Sequence, residues 1–563
     1  MTPPSVRSAQ RVVDALDAFG VRYVFGVPGA KIDAVYDCLL DGGPQLVVCR
    51  HEQNAAFMAA AVGRLTGTPG AVLVTSGPGT SNLPTGLLTA NTEQYPLIAI
   101  CGAVDRADRL KRTHQSMDAA QALRPFTKYV AEVDDPDNVG EAVANALRVA
   151  VSIPQGATAV ILPQDVARAE TRTPMSRVAA PGRLGPAPAD AIASAVERIR
   201  QAKFPVILAG MRAADTAASD AIRGLLDVTE LPVVETFQAA GTVSRALESH
   251  YLGRVGLFRN QPGDVVVSHA DLVIAIGYDP VEYDPRLWNI PRLRNTEPQH
   301  RNIVHVDSTL PDWDNHYQPV EELRGDIAAT VAAMSASLTG LRLPPSAAAI
   351  VDEQRTALQR LDHVPDVDET PATAVDPVAV VLALREALDD DATLASDIGT
   401  HYIYLARHFR TYEPGHLLFS DGQQTLGVAL PWAMAASMLR PGTQIVSISG
   451  DGGFLFSAQE LETARRLGLK FTHVIMRDNS YDMVKFEAIL KYGRANGVEL
   501  GDYDIASYAA AFGASGVRVS TLAEFRTALR DALDRDGITL IDVAVDYSRT
   551  GVLSAELHDD AFE

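Results

Sequence analysis

Asp451 and Asp478 stand 27 residues apart, each at the end of an apolar run: QIVSISG leads into Asp451-Gly452-Gly453, a helical stretch follows, and FTHVIM leads through Arg477 to Asp478. In a parallel sheet that interval is one strand–helix–strand unit. It brings both carboxylates to the carboxyl edge of neighbouring strands, where open α/β sheets bind ligands. Oxygen ligands, glycines that admit a phosphate against the backbone and a nearby helix N-terminus suit Mg2+ bridging a diphosphate, whereas Zn2+ would call for Cys or His. Read one at a time, the same residues are a helix cap and the start of a turn.

A third acid, Glu52, follows the strand-like QLVVC through Arg50-His51 and opens the small-residue helical stretch QNAAFMAAAVGRLTG. A Glu in a first turn complements the helix dipole whatever else it does. Glycine-rich turns flank it, Phe25-Gly26-Val27-Pro28-Gly29-Ala30-Lys31 before and Thr75-Ser76-Gly77-Pro78-Gly79-Thr80-Ser81-Asn82 after, and each is compatible with a tight strand-to-helix connection.

The elements that must position these groups are legible as a rhythm. Apolar, β-branched runs (YVFGV, AVLVT, LIAICG, AVILP, PVILAG, LVIAIG, NIVHVD, ITLIDVAV) alternate with longer helical stretches. That pattern predicts α/β architecture with parallel sheets covered on both faces. Two stretches break it, Arg168–Asp190 and Ser337–Pro377, the second with a short helix expected around Val351–Leu361. They divide the chain into three doubly wound units, an N-terminal domain over 1–170, a central domain over 185–337 and a C-terminal domain over 377–563, with a linker over 338–376.

Composition narrows the function. With 49 Lys and Arg against 70 Asp and Glu, the formal charge of −21 disfavours nucleic acid and anionic membrane as partners. A hydrophobic fraction of 47% and 21% charged residues imply a sizeable core. Cys38, Cys49 and Cys101 are too few for a disulfide framework, no apolar run spans a bilayer and the first residues lack a signal-peptide pattern, so a cytoplasmic location is expected.

GDG followed after this interval by an Asn-Asn-like pair resembles the fingerprint of the thiamin diphosphate (ThDP) enzymes. The resemblance implies Asp451 and Asp478 as side-chain metal ligands and Ser480 as a backbone-carbonyl ligand, with Gly450, Gly452 and Gly453 against the diphosphate; Arg477 departs from the usual Asn. RHEQNAAFMA is similar to the segment whose Glu contacts the aminopyrimidine, which implies Glu52 as the activating acid that exchanges a proton with the pyrimidine ring nitrogen. By the same resemblance Pro28, Gly29, Gly77 and Asn82 belong to the pyrimidine-side loops. Within DGQQTLGVALPWA, Gln424 faces the cofactor and Leu426 lies beneath its bend. His401 lies near the diphosphate, and Tyr481, Met483 and Val484 belong to the segment closing over the thiazolium side.

PGAKIDAVYD, VTSGPGTSNL, RADRLKRTHQSMD, GLFRNQPGD, IGYDPVEYDP and SYDMVKF extend the resemblance across nearly the whole chain, to the catabolic, FAD-independent acetolactate synthases. It implies Mg2+ and no FAD, and an obligate homodimer, expected as a homotetramer, with each site shared between subunits. The implied reaction decarboxylates one pyruvate and ligates the hydroxyethyl carbanion to a second, giving 2-acetolactate and CO2. Gln115 would hydrogen-bond the reacting oxygen and Lys31 would face the pyruvate carboxylate. Arg112-Thr113-His114-Gln115 lacks the adjacent His pair of related decarboxylases, which favours ligation. Thr92-Glu93-Gln94-Tyr95-Pro96 departs from the usual Glu-Gly-Asp-Pro, and two bulkier side chains are expected to reshape the acceptor pocket. A carboligase with another 2-ketoacid or aldehyde acceptor is therefore the alternative; a flavin-dependent 2-ketoacid oxidase would share the same motifs.

Overall fold

The computed structural model describes residues 5–175, 177–256, 261–289, 292–294, 297–299, 301–362, 374–548 and 550. Three six-stranded sheets organise the chain, and every strand pair within them is parallel. The first runs Gln45–Val48, Tyr23–Val27, Gly70–Val74, Leu97–Ala103, Ala157–Pro163, Tyr129–Glu132. The second runs Tyr251–Arg254, Val233–Glu235, Pro205–Ala209, Leu272–Ile276, Asn302–Asp307, Glu321–Arg324. The third runs Leu417–Leu418, Thr393–Ser396, Ile445–Gly450, Phe471–Arg477, Ile538–Ala544, Ser515–Val519. Each is doubly wound, as the alternation of apolar runs predicts.

The expected strands are mostly inner ones, such as PVILA and LVIAI, buried at every residue. Five of the six edge strands, among them YVAE, EELR and SGVRV, escape the apolar-run criterion. An edge strand has a neighbour on one side only and is less covered, so it needs no continuous apolar run. In the first connector, Glu170–Thr171 pairs antiparallel with Val6–Arg7. In the second, the helix is longer than expected and spans Pro345–Leu361, while 363–373 lie outside the described residues. Of the GLFRNQPGD run, 257–260 lie outside them as well.

One packing decision positions the chemistry. Helix Glu52–Thr66 follows strand Gln45–Val48 of the first sheet and is buried on almost every side, from Asn54 to Gly63. Its alanines let it lie close against helix Ala429–Leu439, itself buried from Ala429 to Ala436, and the two share a single hydrophobic core. The N-terminal and C-terminal units are therefore held together by dry contact, and loops at the ends of both helices meet the neighbouring unit.

Candidate active site

Glu52 occupies the first position of its helix and is 9% exposed. His51 caps that helix by accepting from the Gln53 amide at 3.1 Å. Asn82 Nδ2 donates to Glu52 Oε2 at 2.9 Å. Around this pair the two glycine turns meet on Thr75. A Cβ at Gly29 would stand 2.5 Å from Thr75 Cβ, and one at Gly79 would stand 3.0 Å from Thr75 Cγ2 and 3.5 Å from Glu52 Oε1. Both glycines keep open a cradle that side chains would fill. Gly77, in the left-handed region at φ +63, lies against Gln115, itself at φ +61, with 3.0 Å between a built Cβ and Gln115 Cβ. Lys31 is half-buried and its Nζ donates to Gln164 Oε1 at 3.2 Å, so it is held rather than solvated; His114 is exposed. Glu52, Asn82, Gly77, Gly29, Gln115 and Lys31 thus belong to neighbouring loops at the carboxyl edge of the first sheet.

The second group gathers at the carboxyl edge of the third sheet. Asp451 follows strand Ile445–Gly450 and Asp478 follows its parallel neighbour Phe471–Arg477. Asp451 Oδ2 accepts from the Asn479 amide at 3.0 Å, whereas its Oδ1 is buried with no hydrogen-bond partner among the described residues. Burial, with the Asp478 charge close by, pushes the Asp451 carboxyl up to about 6. Two converging carboxylates and an unsatisfied buried oxygen fit a hard divalent cation. Ser480 lies beside them, its amide donating to Asp478 Oδ1 at 3.2 Å. A Cβ at Gly452 would stand 2.5 Å from Tyr481 Cε1, so a side chain there would displace the Tyr481 ring.

Gly453 lies between Asp397 and Leu426: a Cβ there would be 2.5 Å from Asp397 Oδ2 and 3.7 Å from Leu426 Cδ2. Asp397 in turn accepts from the Gly427 amide at 2.8 and 2.9 Å, which fixes the backbone just after Leu426. His401 is 1% exposed, near Gly450, and burial holds its imidazole down to about 4, hence neutral. Gln424 takes a positive φ of +51 at the head of this loop. Tyr481 ends the loop before helix Asp482–Tyr492, whose Met483 packs on the core while Val484 is 57% exposed.

The expectation that Gln94 and Tyr95 reshape the acceptor pocket needs correction. Tyr95 does not line an acceptor pocket: it is 1% exposed, with its ring centroid 5.7 Å from that of Trp432 in the shared core. Gln94 faces the central unit, where its Nε2 donates to Asp279 at 2.9 Å and its Oε1 accepts from Arg212 at 3.2 Å. Arg477 is a sheet residue whose Nε donates to Asp542 at 2.8 Å. Among the described residues, the cavity beside Asp451 is not shared by the two groups of site residues. The hydrogen bonds and close approaches described for Glu52 come from Asn82 and Gly79. The roughly 370 Å³ cavity beside Asp451 is lined by residues of the C-terminal unit alone.

Glu93, Asp397 and Glu460 are buried acids to which residue pattern assigns no role. Glu93 is 1% exposed and accepts from Ser420 Oγ and the Gln423 amide, both at 3.0 Å, and from Gln238, so it joins all three units.

The chain matches the thiamine pyrophosphate (ThDP) enzymes in three successive parts: the N-terminal TPP binding domain over residues 6–123, the central domain over 192–334 and the C-terminal TPP binding domain over 397–543. It is 51% identical to the acetolactate synthase of Bacillus subtilis (strain 168), over 96% of this chain and 94% of that one. It is 42% identical to the catabolic acetolactate synthase of Raoultella terrigena, over 98% and 97%, and 30% identical to the acetolactate synthase isozyme 2 large subunit of Escherichia coli (strain K12), over 96% of each. One matched part falls on each of the three sheets, and the chain belongs to the thiamine pyrophosphate enzymes, within the acetolactate synthase family.

Proposed function

We propose that this chain is an acetolactate synthase that decarboxylates one pyruvate, joins the two-carbon unit to a second and releases 2-acetolactate and CO2, using ThDP held through Mg2+. The observation that carries the reading is the pairing of Glu52 and Asn82 over a glycine cradle with Asp451 and Asp478 at a second sheet edge, in a chain similar from end to end to proteins named acetolactate synthase. ThDP supplies the nucleophilic carbon and the electron sink. Glu52 holds and moves the proton at the pyrimidine ring nitrogen, and Asn82 keeps its carboxylate oriented. Asp451, Asp478 and the Ser480 carbonyl hold the cation, which offsets the diphosphate charge. Leu426, backed by the Gly427–Asp397 hydrogen bonds, would support the cofactor from below. Gln115 and Lys31 orient pyruvate oxygens, Lys31 as a point charge on the carboxylate.

A second copy completes the site in this reading. Leu455, Phe456, Val484, Ile489 and Leu490 are each about half exposed around the cation half, an apolar surface that the N-terminal loops of a partner would cover and keep dry. Sedimentation at micromolar concentration is expected to give a dimer or tetramer, and a monomer would remove this assembly. The protein is expected to purify without the absorbance of a flavin near 450 nm. No helix among the described residues is long and apolar enough to cross a membrane, and a cytoplasmic location is proposed.

The test is incubation with pyruvate, ThDP and Mg2+, with direct assay of acetolactate, acetaldehyde and CO2 and Glu52→Gln as control. Acetolactate that is lost in the variant supports the reading. CO2 and acetaldehyde without acetolactate would leave ThDP chemistry in place and transfer the ligation to another acceptor.

A further inference from the structure

The connection that presents Glu52 is three residues long, Cys49, Arg50 and His51, between strand Gln45–Val48 and helix Glu52–Thr66. Its first amide, on Cys49, donates to Gly26 O at 2.9 Å within the same sheet. The other two leave the N-terminal unit altogether. Arg50 N donates to Glu460 Oε1 and Oε2 at 3.0 and 3.2 Å, and His51 N donates to Glu460 Oε1 at 3.1 Å. Asn54 Nδ2, one turn into the helix, donates to the same oxygen at 3.2 Å, and Thr463 Oγ1 donates to Oε2 at 2.7 Å. Arg466, further along the same segment, reaches back to the Val48 carbonyl.

Glu460 is fully buried, and each hydrogen-bond donor described around it is a neutral group. A buried carboxylate is costly unless its oxygens are satisfied, so these four groups and the acid fix one another. A carboxylate clamped on two successive amides constrains the backbone torsions between them. The side chain that leaves the chain at the next residue is Glu52.

We infer that Glu460 is a positioning residue for Glu52: reaching across from the C-terminal unit, it holds the Arg50–His51 turn so that the Glu52 carboxylate meets the pyrimidine nitrogen of the bound cofactor. The inference rests on the role proposed above for Glu52. A displacement of about 1 Å in a reacting group costs on the order of a hundredfold in rate, so loosening this turn is felt in proton transfer before it is felt in cofactor binding.

The experiment uses the full chain with ThDP and Mg2+ and compares wild type, Glu460→Gln, Glu460→Ala and Glu52→Gln. Three quantities are read: the dissociation constant of ThDP by calorimetry, the rate of hydrogen–deuterium exchange at the thiazolium C2 of bound ThDP, and amide exchange along the cofactor-free chain. Glu460→Ala is expected to slow C2 exchange by about tenfold or more, to change ThDP affinity by less than about threefold, and to accelerate amide exchange at residues 50–54 but not in the sheets. Glu460→Gln keeps an acceptor oxygen for the two amides and is expected to fall between wild type and Ala. If Glu460→Ala does not fold, Glu460→Gln decides: slowed C2 exchange supports the inference and a wild-type rate overturns it. A wild-type C2 rate in Glu460→Ala, or faster amide exchange throughout the chain, also overturns it. Failure of the underlying reading is seen separately: Glu52→Gln would then exchange C2 as fast as wild type, or the wild type would exchange C2 without forming acetolactate.

Discussion

Asn82 Nδ2 donates to Glu52 Oε2 at 2.9 Å, and the other carboxylate oxygen lies where a side chain at Gly79 would come within 3.5 Å. One oxygen is thereby spent on orientation and the other is kept clear. Glu52→Gln is expected to lower acetolactate formation by about 10²- to 10⁴-fold, the usual worth of a positioned acid–base group, with a thermal midpoint close to wild type. Steady-state assay and calorimetry check both; full activity in the variant would remove Glu52 from the reaction.

Tyr95 packs against Trp432, and Arg64 lies over its ring at 5.7 Å. Tyr95→Asp would remove a buried aromatic and place a carboxylate in a dry core, at a cost of about 3–5 kcal/mol read from chemical denaturation. Combined with Gln94→Gly, which also removes the hydrogen bonds to Asp279 and Arg212, it is expected not to raise pyruvate self-condensation per folded molecule. A faster condensation would return Tyr95 to the acceptor site.

Asp421 sits at the junction of the three units, its Oδ1 accepting from Tyr402 and its Oδ2 buried without a partner among the described residues. Burial, with the Glu93 charge adding to it and the Tyr402 hydrogen bond opposing, pushes its carboxyl up to about 8 from an ordinary 3.8. Between those values the folded chain holds a proton that the unfolded chain has lost, so this group's stabilisation is complete below pH 3.8 and disappears as pH rises through about 8. Asp421→Asn does not ionise. Relative to wild type its thermal midpoint is expected to gain as pH rises from about 4 to about 8 and to hold that gain above it. Parallel pH profiles would show that Asp421 is ionised throughout.

Removing divalent cations with a chelator is expected to weaken ThDP binding by about tenfold or more and to stop turnover, both restored by Mg2+. Asp478→Ala, which removes one of two converging carboxylates, is expected to raise the Mg2+ concentration needed for half-maximal activity. Cation-independent ThDP binding would reject Asp451 and Asp478 as ligands.

Most inner strands (though not Thr393–Ser396), the Gly450–Gly453 turn and the interval to Asp478 were legible because they are local: a strand buried on both faces usually shows an apolar run, and a phosphate loop needs glycine. Edge strands such as Glu321–Arg324 were not, since they bury less, and neither was the place of Tyr95, since a bulky residue in a loop-like segment reads alike whether it faces a pocket or a core.

The sequence by itself determined three parallel α/β units and the residue types at each sheet edge, because strand burial and glycine turns depend on near neighbours in the chain. Only the tertiary structure decided that Glu460 grips the turn before Glu52 and that Glu93 holds the loop before Gln424, over separations of more than 300 residues. Such contacts follow from how two Ala-rich helices pack, and complementarity between distant surfaces leaves no periodicity along the chain.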